Sequence, residues 1–148
     1  KAQSKADSKQ INADLLKLQQ DYSDTVPAAQ ATMMVAATEF DAGRYDTAAG
    51  HLNWVLSNQK APLIQALAAQ RLAVVLLQQK KYAEALAALD TKVDADFAPI
   101  LLEIKGDVYA AQNKAKEAVQ SYGQALSQLP KEAVGEREVL QMKIDALK

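Results

Sequence analysis

Few residues in this chain are equipped for chemistry. A single histidine, His51, stands three residues before the single tryptophan, Trp54, and there is no cysteine. Such a pair could stack a ligand or answer to pH near neutrality. With nothing else in the sequence to complete a site, it reads as a packing pair on one helix. One imidazole and no thiolate exclude disulfides, thiolate zinc ligation, a two-histidine metal centre and cysteine catalysis. Asp94 and Asp96 could attract a cation, but a calcium loop needs more oxygen ligands at set positions and a glycine. They read as part of a solvated connector. Serines and carboxylates are plentiful, yet no nucleophile elbow, phosphate-binding loop or zinc-binding helix signature occurs. The expectation is a chain with no catalytic residue, no metal site and no cofactor.

The elements that would carry any function are helices. The 148 residues, 16.0 kDa, include 29 Ala and 15 Gln against 5 Gly and 4 Pro. Ala and Gln favour helices, and the breakers are scarce. Hydrophobic residues are 49% and charged residues 24%, which suits one folded domain. A net charge of -1 and eight aromatic residues argue against a nucleic-acid surface. The longest apolar stretch, 63–77, is interrupted by Gln65, Gln70 and Arg71, so it does not read as a membrane span.

Along the chain, 1–10 is polar and reads as a solvated lead-in. Ile11, Leu15, Leu18 and Tyr22 then share one helix face. Pro27 suits the first turn of a second helix, with Asp24 or Thr25 as its cap. From there the sequence repeats. Ala48, Ala85 and Ala118 align, each preceded by a turn residue, Gly43, Lys80 or Asn113, and by Tyr45, Tyr82 or Ala115. Each segment reads as a tight turn between two helices, with a small alanine where they cross. Helices are expected at 10–23, 27–42, 45–58, 62–79, 82–90, 97–112, 115–128 and 132–147. The last carries Leu140, Ile144 and Leu147 on one face and would cap the stack.

This pattern resembles the tetratricopeptide repeat. Gly106, Tyr109, Ala118, Tyr122, Ala125 and Pro130 fall where that motif places Gly, Tyr, Ala, Tyr, Ala and Pro. The earlier copies depart from it: Ala36 and Ala73 replace the glycine, and Lys92 stands where an alanine belongs. The resemblance implies an all-α right-handed solenoid over 1–148: lead-in and N-terminal helix in 1–26, hairpins in 27–60, 61–96 and 97–130, and a capping helix in 131–148. The order of elements, together with Arg71-Leu72-Ala73-Val74, Gly106-Asp107 and the tail Gln141-Met142-Lys143-Ile144-Asp145, is similar to the ancillary SecYEG translocon subunit family. That resemblance implies a protein-interaction domain on the periplasmic side of the bacterial inner membrane. It implies SecYEG and a parvulin-type periplasmic chaperone as partners, and an N-terminal transmembrane anchor that this chain lacks. An envelope-assembly tetratricopeptide lipoprotein and a small-ligand binder are the alternative readings.

In tetratricopeptide stacks the first helix of each hairpin lines a concave groove. Here that frame selects Met33, Phe40, Leu67, Arg71, Val74, Leu77, Ile100 and Ile104 as partner-binding residues. Ala37, Gln70, Glu103 and Asp107 lie on the same face. The clamp cations that other such domains turn on a terminal carboxylate are replaced by Met33, Ala37, Ile100 and Ile104. Only Arg71 is left, too little for bidentate capture. The groove is expected to be apolar, and either open or filled by the N-terminal helix.

Overall fold

The structure, a computed structural model, describes residues 2–90 and 95–148, and the side chains of residues 9–90 and 95–148. Among the described residues there are eight α-helices and no strand. They are α1 (Ala2–Asp21), α2 (Val26–Asp41), α3 (Tyr45–Asn58), α4 (Pro62–Gln78), α5 (Tyr82–Leu89), α6 (Ala98–Ala111), α7 (Ala115–Gln128) and α8 (Val134–Ala146). A short 3-10 turn, Ala95–Phe97, leads into α6. Each helix packs chiefly on its neighbours in sequence, and the first helix of each hairpin also meets the first helix of the next. That nearest-neighbour layering is a helical solenoid.

Three hairpin turns share one geometry. Gly43, Lys80 and Asn113 all have positive φ, at 80°, 60° and 61°. The following N–H groups, of Arg44, Lys81 and Lys114, each donate at 2.8 Å to a carbonyl five residues back: Glu39, Leu76 and Tyr109. A left-handed residue followed by this bond closes the helix end as a Schellman motif. The same three residues then accept the first bond of the next helix, from Ala48, Ala85 and Ala118. All three alanines have no exposed surface, so the helices cross at the methyl groups.

Gly106 has a local reason of its own. A Cβ placed there would meet the Tyr122 ring at 2.5 Å, closer than any real contact, so the glycine lets α7 seat its buried tyrosine on α6. The open ends of the hairpins are held by amides. Gln59, almost fully buried, donates at 2.5 Å to the Thr25 carbonyl, and Gln65 donates to the Leu56 and Gln59 carbonyls.

The N-terminal region departs from expectation. α1 begins at Ala2, so the polar lead-in is helical. It contains neither Gly nor Pro, and extending an existing helix through such residues costs little. α1 also buries less than its pattern suggests. Leu15 is buried and Leu18 half-buried, whereas Ile11 and Tyr22 are more than half exposed. The contact with α2 is local, marked by a 3.0 Å bond from Gln19 Nε2 to Thr32 Oγ1. Asp96 is exposed in the 3-10 turn, while Lys92 and Asp94 lie outside the described residues.

Candidate interaction groove

α2 and α4 are the first helices of successive hairpins, and both carry a proline in the first turn. Thr25 caps α2, accepting from Ala28 N–H at 3.3 Å, and Pro27 occupies its first turn. Pro62 opens α4 in the same way. The two helices touch sparingly, and Ala36 and Ala37 of α2 face the gap between them. The space left is a cavity of about 400 Å³. Met33, Ala36, Ala37 and Phe40 form one wall; Gln70, Arg71, Val74 and Val75 form the other; Leu52 of α3 contributes from behind. The Phe40 ring is held edge-on to Tyr45, with centroids 5.3 Å apart. Met33 is buried, and Phe40 and Val74 are half-buried.

Polar groups here are few. Arg71 is exposed and, among the described residues, has no hydrogen-bond or ion-pair partner; Asp41 is the other charged lining residue. A cavity of this size with apolar walls suits the bulky side chains of a bound segment. It presents no histidine and no paired carboxylates for proton transfer.

Met33, Phe40, Arg71 and Val74 thus come together around one cavity. Leu67, Leu77 and Ile100 do not line it. Leu67 and Ile100 are half-buried on α4 and α6, and Leu77 packs against the hydrophobic core. Ile104 is buried in the core with Leu101 and Val108 and does not line this cavity. Those three residues share one face of α6 at spacings of three and four, and that face packs back onto α4 and α5. Asp41, Leu52 and Val75 were not legible as lining residues. Leu52 and Val75 look like plain core positions, and only the separation of α2 from α4 brings them to the cavity.

Among the described residues, none of α1 lines this space. α1 lies on the other side of α2, where Lys9, Asn12, Leu15, Leu16 and Gln19 face Glu39, Arg44, Thr47 and His51 across a second cleft of about 590 Å³. His51 lines that cleft, and Trp54 instead packs against the core, so the two residues form no joint site. The Arg44 guanidinium, hydrogen-bonded to Glu39, holds that carboxyl below its ordinary range.

A polar cluster at the far end was not foreseen. Lys143 of α8 reaches Glu103 at 2.9 Å and Asp107 at 3.0 Å, and lies 5.7 Å from the centre of the Tyr122 ring. Tyr122 donates to Asp107 at 2.5 Å. Burial works against the Lys143 ammonium, but its bonds to Glu103 and Asp107 raise its pKa overall. Burial, reinforced by Asp107, pushes the Tyr122 hydroxyl well above its ordinary value. The i, i+4 spacing of Glu103 and Asp107 was visible in sequence, but their cation sits on a helix whose register only packing sets.

Helical hairpins stacked in series, with an apolar groove along their first helices, define a tetratricopeptide-repeat-like protein-interaction domain. The sequence model of the tetratricopeptide repeat-like domain family matches residues 1–148. The chain is 70% identical over 148 residues to the ancillary SecYEG translocon subunit of Neisseria gonorrhoeae (strain ATCC 700825 / FA 1090), an alignment that covers 100% of this chain and 70% of that protein. The chain belongs to the family of ancillary SecYEG translocon subunits.

Proposed function

We propose that this domain is a non-enzymatic docking platform of the SecYEG translocon, and that the α2–α4 cavity receives an apolar segment of its protein partner. The observation that carries this reading is the cavity itself: about 400 Å³, walled by Met33, Phe40 and Val74, with no described residue of α1 lining it. Apolar pockets of this kind supply a few central anchors that dominate affinity. The translocon as partner rests on the relative's name. Placement on the periplasmic face of the inner membrane, anchorage by a transmembrane segment and linkage to a parvulin-type chaperone rest on the family resemblance alone. Leu67, Leu77 and Ile100 extend the apolar surface along the same first helices and would contact a longer bound segment.

Binding to purified SecYEG and to the chaperone, measured with Phe40→Ser and Ala37→Trp variants, tests the proposal. Ala37 is exposed and lines the cavity, so the indole fills it without disturbing the core. Both changes should weaken binding about tenfold or more, and Trp54→Ser should leave it unchanged. Full binding by a folded Ala37→Trp protein would reject the cavity as the docking site. The affinity should vary little with salt, because the contact screens few charges.

A further inference from the structure

Among the described residues, the charges around the α2–α4 cavity leave one cation unmatched. Arg71 is the single charged residue of α4, and its neighbours one turn away, Leu67, Ala68, Val74 and Val75, are all apolar. The acids of the adjoining helices are engaged elsewhere. On α2, Glu39 is held by Arg44. On α3, Asp46 accepts from Gln79 and lies by Lys81. On α6, Glu103 and Asp107 are held by Lys143. Glu84 and Asp90 belong to α5 and its end, and neither lines the cavity.

Asp41 does line the cavity, at its far end. Gly43 and Lys80 hold equivalent places in their turns, so Arg71 stands level with Met34. Asp41 then lies two helical turns further along α2, about 10 Å away at 1.5 Å per residue. Lys80 is exposed in the turn beyond Gln78, so that end carries both signs of charge. The Arg71 end carries one.

Arg71 lines the cavity and is exposed, so its guanidinium is hydrated in the free protein. A purely apolar segment seated there strips water from that cation and returns no bond, which is costly. A carboxylate on the segment restores the bonds, and the planar guanidinium fork takes both of its oxygens. A chain terminus would need further donors for its backbone, and no second cation lines the cavity among the described residues. The acid is therefore a side chain.

We propose that the segment received by the α2–α4 cavity carries an aspartate or glutamate beside its apolar anchors, and that Arg71 selects it. This rests on the cavity being the docking site. A single ion pair adds little to the salt dependence of binding, and shows instead in which segments are accepted.

The test selects peptides from a random library, displayed on phage and fused through their C-termini, with this protein and its variants as bait. Wild type should enrich peptides that join bulky apolar residues to Asp or Glu, and Ala37→Trp should not retain them. Arg71→Glu should enrich the same apolar pattern with Lys or Arg instead. Arg71 is exposed, so the melting temperature should not change and serves as the control for folding. In fluorescence anisotropy, replacing the acid of a selected peptide by its amide should weaken binding to wild type about tenfold and leave binding to Arg71→Gln unchanged. Cavity-dependent apolar peptides that lack an acid, or that bind Arg71→Gln as well as wild type, would overturn this inference and leave the docking site standing. Selection of no apolar peptide, or full retention by Ala37→Trp, would reject the docking site itself and this inference with it.

Discussion

At the scale of single residues, close approach and proton affinity make the sharpest demands. A methyl group at Gly106 has nowhere to go, because the Tyr122 ring on the facing helix is itself buried. Gly106→Ala should therefore cost about 1–3 kcal/mol by overpacking. Gly123→Ala, with nothing within 4 Å of the new carbon, should gain about 0.5–1 kcal/mol from helix propensity. Urea titrations of the two variants check the pair, and equal effects would contradict the packing described. The Lys143 and Tyr122 protons give a pH signature. Both groups have raised pKa values in the folded protein, so above about pH 10 the fold retains protons that the unfolded chain has released. Stability from this cluster is fully present below about pH 10 and declines as the pH rises further. A Tyr122→Phe, Lys143→Met protein should show a shallower loss between pH 9 and 11, and an unchanged slope would remove the cluster from the balance.

At the scale of elements, the turns carry the repeat. Lys80 holds the left-handed conformation that Gly43 adopts without strain, so Lys80→Gly should stabilise by about 1 kcal/mol and Gly43→Ala should destabilise by a similar amount. Ala118→Leu should cost roughly 1–3 kcal/mol, since its methyl lies fully buried at a helix crossing. Thermal unfolding of these variants ranks them directly. The same turns explain what could be read in advance. α3 and α7 run over the expected spans 45–58 and 115–128, because a turn residue followed by the crossing alanine marks each start. The start of α1 was not readable, because residues 2–10 have neither an apolar face nor a breaker, and pattern alone does not separate a polar helix from a solvated strand of chain. Along α2 and α4, the tetratricopeptide frame selected Met33, Phe40, Arg71 and Val74, which meet at the cavity. It also selected Ile104, which lies away from that cavity because Leu101 and Val108, on the same face, draw that side of α6 into the core.

At the scale of the whole molecule, the solenoid has two unequal ends. α1 meets α2 over a short contact and, among the described residues, lines no part of the α2–α4 cavity, while α8 is pinned by Arg137 and the Lys143 cluster. Residues buried at the turns and crossings build the scaffold, and a cavity stays open between α2 and α4. The proposed entry for the partner lies between α2 and α4. The most direct measurement is photo-crosslinking from a benzoyl-phenylalanine placed at Ala37, on the cavity wall, compared with one at Asn53, exposed on α3. In inner membranes containing the translocon, a crosslink to a translocon-associated protein is expected from position 37 and none from position 53. A crosslink from position 53 with none from position 37 would contradict it.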